Sequence, residues 1–214
     1  MMKAERIWLD EFLHWDLKDK QAVLNEIENG AVFVYPTETI YGVGGLTLGD
    51  FVYKRVLEIK RRPPENPFIL IASNREFFSS LNPQFSSKTE LLANRFWPGP
   101  LTMVLPCDTT QTEIALRVTD HPFTTEINRH FNLPLISTSA NVSGEPYNGD
   151  PDYIFNLFET SVDFMFDAGW LPRSLPSTVI KSSGDSVQII RLGAVTQEKI
   201  EKCLSVCAID SSMF

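Results

Sequence analysis

Cysteine is scarce: Cys107, Cys203 and Cys207 are the only three in 214 residues, and no Cys-x-x-Cys pair occurs. That excludes a disulfide framework and the common zinc and redox spacings, and it suits a reducing, cytoplasmic setting. Cys203 and Cys207 stand four apart in a stretch that reads as helix, where two small apolar side chains share a buried face. Long apolar runs are missing too. No segment approaches a membrane span, and Met1 to Leu13 mixes charges every few residues, with no apolar core of the length a signal peptide needs. Positive charge is in the minority, with 19 Lys and Arg against 27 Asp and Glu and a formal net charge of -8. General attraction to nucleic acid is therefore not expected: any RNA binding should be weak and salt-labile, and an anion site has to be a local cluster of cations. Gly42, Gly44 and Gly45 form neither G-x-G-x-x-G nor G-x-x-x-x-G-K-[ST], so neither a dinucleotide fold nor a P-loop is supported.

What is present is an ordinary globular composition, 43% hydrophobic and 21% charged, long enough for one substantial core. Residues 19–29 read as an amphipathic helix capped by Asp19 and stopped by Gly30, with Ala22, Val23 and Ile27 on one stripe. A buried strand, 31–35, runs into Pro36-Thr37-Glu38-Thr39-Ile40-Tyr41-Gly42, followed by glycines that let a backbone pass close by or else form a glycine turn. A helix over 51–59 ends in Lys60-Arg61-Arg62-Pro63. Because the residue before proline is pushed toward extended geometry, Lys60 and Arg62 should share a face with Arg61 opposite; alternatively the three cations are a solvated helix terminus. Further strands are expected at 68–72, 101–105, 114–118, 133–136, 162–166 and, as a hairpin, 177–181 with 187–191. Helices are expected at 75–81, from a Ser87/Glu90 capping box to Phe96, at 121–131, from Asp150-Pro151 to Phe158, and from Thr196 to Cys207. Roughly seven to nine strands interleaved with six helices give a single α/β domain on a mixed sheet.

Two places invite chemistry. The strand before Ser137-Thr138-Ser139-Ala140-Asn141-Val142-Ser143-Gly144 ends by presenting hydroxyls and an amide, an edge suited to an anion or else a serine-rich turn. Arg117 stands alone in an apolar strand, either in a buried ion pair, with Asp120 the obvious partner, or facing a ligand.

Pro36 to Gly42, Lys60-Arg61-Arg62-Pro63 with Asn66-Pro67, Phe96-Trp97-Pro98-Gly99-Pro100-Leu101-Thr102, Leu116 to Pro122, Ser137 to Gly144, Ser177-Thr178-Val179 and Arg191-Leu192-Gly193 stand in one order across most of the chain. Together they resemble the YrdC-like family of L-threonylcarbamoyladenylate synthases, in its short, single-domain form: a matched core about 19–195 and a C-terminal helix about 196–207 in one domain over 1–214. The resemblance implies a twisted mixed sheet with flanking helices around a deep, positively lined cleft. It implies a nucleotidyltransferase that condenses ATP, L-threonine and bicarbonate into threonylcarbamoyl-AMP with release of pyrophosphate. A separate tRNA threonylcarbamoyl transferase then uses the product beside the anticodon. By the family pattern, Lys60, Arg62, Asn66, Ser139, Asn141 and Arg191 hold ATP, with Lys60 and Arg62 as the catalytic cations. Thr37, Thr39, Tyr41, Arg117, Thr138 and Ser177 surround threonine. Mg2+ is carried by the ATP phosphates with no metal ligand from protein side chains, and no membrane partner is implied.

The chain departs from that pattern where many members carry a histidine and it has Ile71, and where they carry a glutamate and it has Pro176. A non-enzymatic double-stranded RNA or nucleotide-binding protein of the same fold, and a paralogue acting on another amine, are the competing readings.

Overall fold

In the computed structural model, which describes residues 3–61, 68–171 and 175–210, the last five by backbone alone, the charge-mixed N-terminus forms a strand, β1 (Glu5–Trp8), and a short helix, α1 (Leu9–His14). Neither was legible beforehand, because β1 buries only Ile7. Helix α2 (Leu17–Glu28) begins before the expected cap: Asp16, not Asp19, accepts the amide, here that of Asp19, at 2.9 Å. Its buried stripe holds Val23, Leu24 and Ile27, while Ala22 faces solvent. Asp16→Ala should therefore cost about 1 kcal/mol, whereas Asp19→Ala, removing only a first-turn charge, should cost a few tenths; urea unfolding of the two variants checks the order.

The apolar run at 31–35 forms β2 (Phe33–Tyr35), and the glycine stretch that follows is a strand, β3 (Gly42–Leu46), antiparallel to it. Glycine is required inside this strand because a Cβ on Gly44 would stand 1.7 Å from the Ile136 carbonyl oxygen. Helix α3 (Asp50–Lys60) follows, then β4 (Ile69–Ala72), a 3-10 helix (Arg75–Leu81) and α4 (Ser87–Phe96). The capping box of α4 lies one residue earlier than expected, between Ser86 and Thr89. The expected pair of strands appears as the antiparallel β5 (Leu101–Cys107) and β6 (Thr112–Val118). Then come α5 (Pro122–Phe131), β7 (Leu135–Ser139), α6 (Pro151–Phe158, capped by Asp150), β8 (Phe164–Asp167), the hairpin of β9 (Thr178–Ser183) with β10 (Ser186–Arg191), and α7 (Gln197–Asp210).

All ten strands lie in one mixed sheet of order β1-β8-β2-β3-β7-β4-β6-β5-β9-β10. The pairs β1/β8, β2/β8, β4/β6 and β5/β9 are parallel and the other five antiparallel. Strand alternation divides the apolar residues between two faces. Phe33, Tyr35, Leu46, Ile71 and Leu135 pack with Phe12, Ile27, Phe123 and Ile127 of α1, α2 and α5. Val34, Val43, Ile136 and Met165 pack with Val52, Val56, Ile154 and Phe158 of α3 and α6. A third cluster joins Leu92 of α4 and Ile200 of α7 to Met103, Leu116 and Ile180.

The register places the site. Leu135, Ile71 and Arg117 are successive partners across β7, β4 and β6, so they share one sheet face. Leu135 and Ile71 are sealed in the core, whereas two residues along the same strands Ser137, Ile69 and Ala115 occupy that face and line a cavity.

Candidate active site

The cavity measures about 490 Å³ and crosses seven strands, from Gly42 of β3 to Ile190 and Arg191 of β10. One row of its floor is Ser137, Ile69, Ala115, Val104 and Lys181, partners in turn across β7, β4, β6, β5 and β9. Among the described residues its charged lining is Arg117, Lys181, Arg191 and Glu113, which pairs with Lys181 at 2.9 Å.

Arg117 is 5% exposed. Its ion-pair partner is Glu38, at 2.7 Å, and not Asp120 as its proximity in sequence suggested. The same Nη2 donates to Thr39 Oγ1 at 2.9 Å, Thr39 Oγ1 lies 2.8 Å from Thr37 Oγ1, and Thr37 donates to the Ile40 carbonyl at 2.8 Å. Nε of Arg117 is buried without a hydrogen-bond partner among the described residues. A buried donor left unpaired costs about 1 to 3 kcal/mol, and this one belongs to a side chain that lines the cavity. Desolvation pushes the Glu38 carboxyl upward, but the charge of Arg117 and hydrogen bonds from Thr119 and Arg117 outweigh it and hold the group below the ordinary carboxylate range.

Behind Ser139 of the cavity wall, Lys60 is buried at the last turn of α3. Its ammonium donates to the Ser139 carbonyl at 2.6 Å, to the Asn141 side-chain oxygen at 3.0 Å and to the Asn141 carbonyl. Ser139 Oγ donates to that Asn141 side-chain oxygen at 2.6 Å. Lys60, Ser139 and Asn141 thus stand together, with the lysine fixing the turn that carries the other two. Geometry at the cations differs from the extended run that Pro63 suggested: α3 continues through Lys60, and Arg61 caps it in the left-handed region (φ 47°, ψ 42°). Arg62 and Asn66 lie outside the described residues.

Arg191 donates to the Ser177 carbonyl at 2.9 Å, and Ser177 Oγ lies 2.8 Å from Thr102 Oγ1. Gly193 permits this closeness, because a Cβ there would meet the Pro176 carbonyl oxygen at 2.0 Å. Burial and then the nearby charge of Arg117 lower the Arg191 pKa, so the two guanidinium groups act on one space. Thr37, Tyr41, Thr138, Ser139, Ser177, Arg117 and Arg191 all line the cavity. Thr39 reaches it through its bond to Arg117. Tyr41 lines it with its ring, since its hydroxyl donates to the Gly169 carbonyl at 2.8 Å and accepts from the Ala168 amide at 2.8 Å. Burial raises the phenol pKa and keeps it protonated.

Glu38, Lys181, Glu113, Thr102 and Asp167, whose carboxylate bonds Arg6 and Tyr41, went unnoticed in the sequence. Only Glu38 left a signal, an acid among the threonines beside the strand end, which a lone buried arginine elsewhere in the chain could have been matched to.

A family model described as "Telomere recombination", that of Sua5/YciO/YrdC, matches residues 25–193. The chain belongs to the Sua5/YciO/YrdC family. The threonylcarbamoyl-AMP synthase of Bacillus subtilis (strain 168) is 30% identical over 226 residues, 99% of this chain and 64% of that protein. The Pyrococcus abyssi (strain GE5 / Orsay) threonylcarbamoyl-AMP synthase is 30% identical over 196 residues, 88% of this chain and 58% of its own length. This member of the family therefore spans less than two thirds of either relative. The crystal structure of P. abyssi Sua5 complexed with L-threonine superposes with a TM-score of 0.80 at 28% identity, over 95% of this chain and 61% of that one. The expected α/β domain on a twisted mixed sheet agrees with this likeness.

Proposed function

We propose that this chain is a threonylcarbamoyl-AMP synthase that joins ATP, L-threonine and bicarbonate. The observation that carries the reading is Arg117: a buried guanidinium in the cavity wall, with Nε unpartnered among the described residues and Thr39 beside it, in a chain similar to synthases and to a structure that holds threonine. Arg117 takes the threonine carboxylate, with Thr39, Ser177 and Thr138 around it and Thr37 and Tyr41 holding the wall.

The amine attacks the bicarbonate carbon and water leaves, giving a carbamate. A carbamate oxygen then attacks the α-phosphorus of ATP, and pyrophosphate departs. Negative charge grows on the leaving group, so the site needs fixed donors and cations more than a nucleophilic side chain. Ser139 and Asn141, set by Lys60, and Arg191 supply those donors from opposite ends of the cavity; Arg62 and Asn66 are assigned to the same nucleotide from the sequence alone. Orienting three small reactants can itself remove roughly 7 to 11 kcal/mol of the barrier. Among the described residues no group of three or more His, Cys, Asp or Glu is placed to hold a metal. The hydroxyl and guanidinium lining matches a magnesium ion carried on the nucleotide phosphates, where it would neutralise charge. No helix among the described residues is long and apolar enough to cross a membrane. The product is an activated acyl phosphate, which a tRNA threonylcarbamoyl transferase would consume.

Mass spectrometry of the product formed from carbon-13 bicarbonate tests the reading: one labelled carbon in an adduct of threonine and AMP supports it, and AMP without that adduct refutes it. The amine site should also prefer threonine to serine. One methyl in a fitted pocket is worth roughly 1 to 3 kcal/mol, so selectivity in kcat/KM should lie between about tenfold and two-hundredfold. Equal turnover of the two would show that another amine is the substrate.

A further inference from the structure

We propose that Glu38 is a positioning residue for the amino-acid carboxylate, acting through Arg117, an inference that rests on the function proposed above. A guanidinium recognises a carboxylate by direction as well as charge, so whatever fixes its plane decides how well it binds. Here the plane is set from one side only. Nη2 is engaged by Glu38 Oε1 at 2.7 Å and by Thr39 Oγ1 at 2.9 Å, while Nε has no partner among the described residues.

Glu38 is itself anchored. Its second oxygen accepts from Thr119 Oγ1 at 2.5 Å, and Thr119 Oγ1 accepts from the His121 amide at 3.2 Å, which ties the carboxylate to the start of α5. Thr39 is anchored in turn by Thr37. Arg117 therefore belongs to a chain of fixed groups running from α5 to the strand end after β2, and the same side chain lines the cavity. The charge of Glu38 has a second effect. Arg191 has no carboxylate within 4.0 Å among the described residues, and without Glu38 the two guanidinium groups would face each other uncompensated.

Glu38 is poorly suited to be the base that deprotonates the threonine amine. Both of its oxygens are occupied, and the neighbouring positive charge that lowers its pKa makes it a weaker proton acceptor. Its contribution is geometric and electrostatic, and it should show in carboxylate recognition.

The test is calorimetric binding of L-threonine and of L-threoninamide to wild type, Glu38→Gln and Glu38→Ala, with ATP titrated separately. Wild type should favour threonine over its amide by about tenfold or more, the size of one charge-assisted contact. Glu38→Ala should reduce that ratio to within about twofold while ATP affinity changes by less than about twofold. Glu38→Gln, which keeps the shape and can still accept from Thr119, should lie between and stands in if the alanine variant does not fold. A ratio unchanged in both variants, or equal weakening of threonine, threoninamide and ATP, overturns the proposal and leaves Glu38 a structural ion-pair partner. Wild type that binds neither threonine nor its amide overturns the synthase reading itself, and the positioning role with it.

Discussion

Replacing Arg117 by alanine is expected to remove threonine-dependent pyrophosphate release and to weaken the fold at the same time. The functional loss follows from a charge-assisted hydrogen bond to a carboxylate, worth about 1.5 to 3 kcal/mol, which predicts at least about a tenfold fall in kcat/KM for threonine. The structural loss follows from Glu38, whose side chain is 25% exposed and would lose the partner that offsets its desolvation. Breaking a fully buried pair costs about 3 to 5 kcal/mol, and the access of Glu38 to water should reduce that to about 1 to 3. Steady-state kinetics and urea unfolding on the same preparation separate the two effects. Unchanged KM and kcat for threonine in a folded Arg117→Ala protein would remove the carboxylate site from the account. Arg117→Lys should recover stability better than activity, because an ammonium can pair with Glu38 but cannot offer a planar fork.

The largest expected effect on folding alone lies at Gly44. A Cβ there would stand 1.7 Å from the oxygen and 2.7 Å from the carbon of the Ile136 carbonyl, both backbone atoms that no rotamer change can move. Gly44→Ala must push β3 away from β7 in the middle of the sheet, at a cost of about 3 kcal/mol or more. For a chain of this length that corresponds to a fall in melting temperature of about 6 to 12 °C, or to insolubility. Gly149→Ala is the control, since its Cβ would meet only a Tyr147 ring carbon at 3.6 Å, an ordinary contact. Equal melting temperatures for the two variants would contradict the pairing of β3 with β7.

That glycine also shows why parts of the fold could be read from the sequence and others could not. Val, Ile and Phe runs announced β2, β4 and β7 because burial of a strand leaves a compositional trace, while the β9/β10 hairpin was announced by β-branched runs on either side of a Ser-Gly-Asp turn. Strand β3 left the opposite trace: its glycines read either as a turn or as room for a passing backbone, and at Gly44 and Gly45 it is neighbouring backbone that stands where side chains would be, inside a strand. Caps were misplaced by one to three residues, at Asp16 and Ser86, since several adjacent residues could have served each role. At the site, the solitary arginine in an apolar strand drew attention to Arg117, which lines the cavity, and the hydroxyl-rich strand end to Ser139 and Asn141, which stand beside Lys60. The partner Glu38 escaped notice because it comes from a segment 79 residues away, and only the parallel pairing of β4 with β6 and the order of the sheet bring the two together. The proline rule at Pro63 governs Arg62, and it could not show that Arg61 would turn left-handed one residue earlier to end α3.

The most direct test of the synthase reading is pyrophosphate release from ATP and magnesium, measured with L-threonine and bicarbonate together and with each omitted in turn. The account predicts release that needs both co-substrates and falls to background when either is absent, because neither partner alone forms the carbamate that attacks the α-phosphorus. Release at the same rate without threonine or without bicarbonate would contradict it.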